Sequence, residues 1–128
     1  MPHTTVDEML ARARSRLDRM TPAQAAAAVR DGARLIDIRQ EAQRADDGVV
    51  PDASFVHRNV LEWRLDPSSG APDPAVADLD AQVIVLCHEG YASSLAAATL
   101  QGLGYGRATD VIGGFQAWKA AGLPVTPA

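Results

Sequence analysis

Two kinds of segment alternate along this chain: short unbroken apolar runs, and longer stretches in which apolar residues recur every three or four positions. Val6, Met9, Leu10, Ala13 and Leu17 have the helical spacing, and they follow Thr5-Val6-Asp7-Glu8, a capping box. The first element is therefore an amphipathic helix of about three turns. Arg12, Arg16 and Arg19 lie on its other side and read as a solvated face. Thr21-Pro22-Ala23-Gln24 starts a second helix over residues 23–30, with Gly32 as its C-terminal stop.

Leu35-Ile36-Asp37-Ile38 is a short buried strand ending in Arg39. A polar helical turn over 40–44 and the turn Gly48-Val49-Val50-Pro51 lead to a strand over 54–56, and Asn59 opens a short helix carrying Trp63. The Pro-, Gly- and Ser-rich stretch 66–74 is a loop, too short and too internal for a domain linker. A helical turn at 75–79 precedes the central strand, 82–86, and an alanine-rich helix, 92–103, whose small residues suit packing on a sheet. A strand over 109–112 and a helix over 115–121 complete the chain before Gly122-Leu123-Pro124. Trp63 and Trp118 stand at helical spacing from Val60 and Phe115 and are assigned to the core.

Strands separated by helices, at more than a hairpin's distance, pair in parallel through crossovers. The fold class is α/β, a small parallel β-sheet with helices on both faces. Ligands of such sheets bind outside the C-terminal ends of the strands. Three polar groups fall there and should share one rim: Asp37 with Arg39, His57 with Arg58, and Cys87.

Composition narrows the class. The 128 residues are 47% hydrophobic and 22% charged, which fits one soluble globular domain. A formal charge of −4 argues against nucleic acid or an anionic membrane as partner. The single cysteine forms no internal disulfide, and residues 1–20 lack the apolar core of a signal peptide, so the cytoplasm is expected. One cysteine and three histidines lack the spacing of a zinc site, and no cofactor is implied.

Cys87 ends the run Val83-Ile84-Val85-Leu86 and precedes His88-Glu89-Gly90-Tyr91-Ala92-Ser93-Ser94, which enters the 92–103 helix. Backbone N–H groups converge at such a strand-to-helix junction and favour a thiolate, so Cys87 is a candidate nucleophile. A lone cysteine closing a strand is also, commonly, a small core residue. Gly90 permits the positive φ that a loop wrapped around an anion needs.

The order of motifs resembles the rhodanese-like domain: Asp37-Ile38-Arg39 at a strand end, Gly48-Val49-Val50-Pro51-Asp52-Ala53, the loop Cys87-His88-Glu89-Gly90, and Gly113-Gly114-Phe115-Gln116-Ala117-Trp118 running to Gly122 and Pro124. The resemblance runs from about Met20 to Val125, so residues 20–128 are assigned to that domain and 1–19 to an N-terminal helical extension that either caps the sheet or forms a dimer contact. It implies a single-domain sulfurtransferase in which Cys87 takes sulfane sulfur from a donor, holds it as a persulfide, and passes it to a thiophilic acceptor. The backbone of His88, Glu89, Gly90, Tyr91, Ala92 and Ser93 would bind the persulfide. Donors and acceptors of that class are persulfides, polysulfides, thiosulfate, cyanide and thiols, or a partner protein, with the domain acting as monomer or homodimer.

Two positions depart from the family pattern. Val49 replaces the histidine common in the Gly-x-x-Pro turn, which changes packing or a local hydrogen bond and says little about chemistry. Family members acting on thiosulfate tend to carry a loop Arg or Lys where this chain has His88, Tyr91 and Ala92, and Glu89 adds an acid. A dianionic donor would lose a charge-assisted contact of about 1.5–3 kcal/mol there. That favours a persulfide, a polysulfide or a partner protein over thiosulfate, unless Arg58 or Arg64 reaches the loop.

Asp37 is read as a buried anchor for loop amides, with Arg39 either its ion-pair partner or a rim charge. His88, adjacent to the nucleophile, points away from it and lines the entrance, with Tyr91 at the rim. Ser93 and Ser94 either cap the following helix or donate a hydroxyl to the outer sulfur. A phosphatase of this fold would need an arginine at the far end of its loop, and Cys87 to Ser94 contains none. The alternative to the enzyme is a rhodanese-like binding or regulatory module, or a redox-sensing thiol.

Overall fold

The computed structural model describes residues 2–128. Six helices, α1 (Val6–Arg14), α2 (Pro22–Arg30), α3 (Glu41–Asp47), α4 (Leu61–Leu65), α5 (Ala92–Leu103) and α6 (Gly114–Ala120), surround four strands, β1 (Arg34–Asp37), β2 (Ser54–Phe55), β3 (Val83–Leu86) and β4 (Thr109–Asp110). The sheet runs β2-β1-β3-β4, and every pairing is parallel, with Ile36 opposite Ser54 and Val85, and Val85 opposite Asp110. No described helix is long and apolar enough to cross a membrane.

All four residues of β3 are buried, which is why its sequence is apolar without alternation. The faces still alternate in what they touch. Val83 and Val85 join Leu61, Leu65, Leu100 and Tyr105 in one core, under α4 and α5. Ile84 and Leu86 join Ala25, Phe115 and Trp118 in the other, under α2 and α6. Cys87 continues the first set and so faces α5. After β1 the chain crosses to β2 on one side and returns to β3 on the other, which places the crevice of a parallel sheet between β1 and β3.

Several expectations need correction. Helix α1 ends at Arg14, buries only Ala13, and leaves Val6 and Met9 at 67% and 49% exposure; Leu17 reaches the core from the turn after it. Trp63 is 59% exposed and not core. Helix α4 has only five residues and buries Leu61 and Leu65, four apart, so Trp63 between them faces outward. Residues 75–79 form turns and no helix, because the Asp73 carboxylate accepts from Ala75 N–H and its carbonyl from both Val76 and Ala77. The polar turn after β1 is instead a full helix, α3, to Asp47. Both N-terminal capping boxes form: Thr5 Oγ1 accepts from Glu8 N–H at 3.1 Å, and Thr21 Oγ1 from Gln24 N–H at 3.2 Å.

Candidate active site

The loop after β3 turns back on its own cysteine. Gly90 N–H and Ser93 N–H point at Cys87 Sγ from 3.2 and 3.3 Å. Negative charge on that sulfur is therefore met by two fixed dipoles in a site where Cys87 is only 7% exposed. Among the described residues, the amides of Glu89, Tyr91 and Ala92 have no protein acceptor.

The Gly113-Gly114 pair explains how the loop is held from the α6 side. A Cβ on Gly114, at φ +61°, would lie 2.5 Å from Cys87 O and 2.8 Å from the Glu89 and Gly90 nitrogens. A Cβ on Gly90, at φ +87°, would lie 2.7 Å from Gly113 N. The two backbones thus pass in contact, and the first amides of α6 secure them: Phe115 N–H donates to Cys87 O at 2.8 Å and Gln116 N–H to His88 O at 3.1 Å.

Asp37 sits fully buried at the end of β1. Its carboxylate accepts from Arg39 N–H at 3.0 Å, from the Arg39 guanidinium at 2.9–3.2 Å, and from Arg44 Nε at 3.2 Å. Arg39 also donates to Gly48 O at 2.8 Å and stacks 3.8 Å above the Phe115 ring. The strand-end Asp-x-Arg and the glycine turn are thereby one unit. The amide that Asp37 holds is that of Arg39, not one from the cysteine loop.

A cavity of about 460 Å³ opens in front of Cys87. Ile38, Arg39, Gln40, Gln43 and Arg58 line one side, and Cys87, His88, Glu89, Tyr91 and Ala92 the other. Arg58 is the partly exposed cation on this wall, bonded at 2.8 Å to Glu62. Arg64 is elsewhere, donating to Ala71 O in the loop after α4, and His57 contacts Glu41 outside the cavity wall. The His88 ring meets Gln116 at 3.0 Å and Asp47 at 3.6 Å, and Tyr91 is 58% exposed on the rim.

The serine hydroxyls turn away from the sulfur. Ser93 Oγ and Ser94 Oγ both donate to the buried Asp110 carboxylate, at 2.7 and 2.8 Å, so Ser93 serves Cys87 with its backbone alone. Asp110 also pairs with Arg19 at 2.9 Å, and Arg14 and Arg19 both donate to Gly90 O, at 2.7 and 3.0 Å. Arg19 is consequently a partly buried structural residue and not part of a solvated face. Helical spacing misplaced Arg19, and Arg14 and Asp110 carried no assigned role in the sequence. Only Asp110 left a signal, an acid inside a short apolar strand, the same sign that singled out Asp37.

The class the fold and site define is an α/β protein with a buried cysteine in a cradle of backbone amides at the C-terminal edge of a parallel sheet. Residues 21–121 match the family model for the rhodanese-like domain. The chain is 40% identical over 102 residues to a thiosulfate sulfurtransferase GlpE of Pseudomonas savastanoi pv. phaseolicola, covering 80% of this chain and 87% of that protein. It is 35% identical over 91 residues to a sulfurtransferase of Allochromatium vinosum, covering 71% and 76%. A solved structure from Rhodopseudomonas palustris CGA009, a protein of unknown function described as a possible tyrosine phosphatase, superposes with a TM-score of 0.87 at 32% identity, covering 98% of this chain and 99% of that one. The chain belongs to the rhodanese-like domain family and falls among its sulfurtransferases.

Proposed function

We propose that Cys87 is a sulfur carrier. Its thiolate attacks the sulfane sulfur of a donor, forming a Cys87 S–S bond as the donor's own bond to that sulfur breaks. The leaving group departs with the electron pair, as sulfite from thiosulfate or as a thiolate from a persulfide. A nucleophilic acceptor then attacks the outer sulfur, and Cys87 leaves as thiolate with the pair of the broken S–S bond. The observation that carries this reading is the pair of amides on Sγ, which stabilises the same charge in attack and in departure. A free thiol with this role suits a reducing compartment such as the cytoplasm.

Thiosulfate belongs in the donor set. The cysteine loop carries no cation of its own, but Arg58, paired with Glu62, lines the same cavity and can turn to an anionic donor there. The relatives' names favour the same donor. A phosphatase reading finds no support in the loop, which has no Arg or Lys from Cys87 to Ser94. Arg14 and Arg19 bond to the Gly90 carbonyl and not to the space in front of Sγ.

Intact mass after exposure to thiosulfate should show one added sulfur on the protein, lost on addition of cyanide and absent in Cys87→Ser. Arg58→Gln should raise KM for the thiosulfate dianion about tenfold and change loading by a singly charged alkyl persulfide by a smaller factor, the loss of one charge-assisted contact. Loading by polysulfide without thiosulfate would overturn the donor, and no adduct with either would replace the carrier with a binding module.

A further inference from the structure

The loop that holds the sulfur is itself held from behind by residues outside the family-matched region 21–121. Arg14, on the last turn of α1, donates through Nη2 to Gly90 O at 2.7 Å and through Nε to Ser94 Oγ at 3.1 Å. Arg19 donates to the same carbonyl at 3.0 Å while pairing through Nε and Nη2 with Asp110, at 2.9 and 3.2 Å. Two guanidinium groups on one backbone oxygen are not needed to satisfy it, since a carbonyl within a loop is satisfied by one donor or by water. What they do is fix a peptide plane. In a trans peptide the carbonyl and the following N–H point in opposite directions, so a Gly90 carbonyl turned to the arginines turns Tyr91 N–H away from them. Tyr91 N–H has no acceptor among the described residues, and Tyr91 lines the cavity with Cys87.

Resting on the sulfur-carrier reading, we propose that Arg14 and Arg19 are positioning residues for the chemistry at Cys87. They hold the Gly90–Tyr91 peptide so that its amide faces the outer sulfur, and they place behind the loop the positive charge that the loop sequence lacks. Polarising a carbonyl with cations strengthens the following N–H as a donor, and in a buried site their field reaches the sulfur with little screening. The neighbouring charges fit this role. Asp110 neutralises part of Arg19, whereas Arg14 meets a hydroxyl, a carbonyl and the face of Tyr91 at 5.5 Å, with no carboxylate partner in the described residues. The N-terminal helix is then a working part of the site.

The full chain is compared with Arg14→Gln, Arg14→Lys, Arg19→Lys and Arg12→Gln, the last removing an equal charge from the exposed side of the same helix. Arg14→Gln should move the Tyr91 amide nitrogen resonance, slow alkylation of Cys87 by a neutral reagent about threefold or more at neutral pH, and lower kcat for sulfur transfer with KM within about twofold. Arg14→Lys should recover part of both rates, Arg19→Lys should slow them to a smaller degree, and Arg12→Gln should match the parent. The resonance and the alkylation rate need no sulfur transfer. A parent that carries no sulfur but shows the Arg14 effects refutes the carrier reading and keeps the clamp. Wild-type alkylation and resonances in Arg14→Gln, or an equal loss in Arg12→Gln, overturn the clamp. If Arg14→Gln does not fold, Arg19→Lys decides it by the same two readouts.

Discussion

Asp37 and Asp110 are the same device built twice with different reach. Each is fully buried at the C-terminal end of a strand, on either side of β3, and each pairs with arginine. Asp37 draws its partners from two and seven residues away, Arg39 and Arg44. Asp110 draws Arg19 from 91 residues away and the two serines from 17 and 16. The first organises the turn at Gly48 and the wall of the cavity; the second organises the cysteine loop. Burial of a charge thus has two uses in one sheet, local architecture at β1 and support of the cysteine loop at β4.

Removing the carboxylates should separate those uses. Asp37→Ala strands Arg39, whose side chain has no exposure, and should cost about 3–5 kcal/mol in urea unfolding, a large share of a domain's stability. Arg19 keeps 17% exposure and can turn to water, so Asp110→Ala should cost less, about 2 kcal/mol. Sulfur transfer should rank the other way: Asp110→Ala should lose about tenfold or more in kcat, and Asp37→Ala, in its folded fraction, less. Equal effects of the two on both measurements would remove the distinction.

The glycines allow a finer cut. Gly114→Ala drives a Cβ to 2.5 Å from Cys87 O and must shift the loop, whereas Gly122→Ala, at φ +75° with open space around it, carries only backbone strain of about 1–2 kcal/mol. Both should lower the melting temperature, and only Gly114→Ala should also slow Cys87 alkylation. A Gly122→Ala protein with an equally slowed cysteine would show that the loop responds to stability and not to contact.

The same contrast marks what could be read from the amino-acid order. Strand and helix types, the parallel sheet, the rim at Cys87 and the Asp37–Arg39 pair were legible because each is written within a few residues: a capping box, an apolar run, an Asp-x-Arg. The Asp110 cluster was not, since nothing in Arg14 or Arg19 says which loop the end of α1 will meet after folding. Helical periodicity even misdirected, placing Arg19 on a solvated face although α1 stops five residues earlier. Arg58 and Arg64 were indistinguishable as loop cations in the sequence, and only the short turn Arg58–Val60 ahead of α4 puts one of them on the cavity wall.

Tyr105 is the control for both acids, a buried polar group with no link to the cysteine loop. Its hydroxyl donates to Leu65 O at 2.6 Å in the core beneath α4 and α5. Burial raises its ionisation above the ordinary tyrosine value near 10, because the phenolate loses water there. The folded chain then keeps a proton that the unfolded chain releases, so stability from this group is complete below about pH 10 and is lost as pH rises from there through the folded value. Tyr105→Phe should cost about 1 kcal/mol at neutral pH, the net worth of one hydrogen bond, and the gap to the parent should narrow above pH 10. Cys87 alkylation and sulfur transfer at neutral pH should be unchanged. A gap that widens with alkali would reverse the sign of the Tyr105 contribution, and a change at Cys87 would mean that the core under α5, and not the Asp110 cluster, sets the loop.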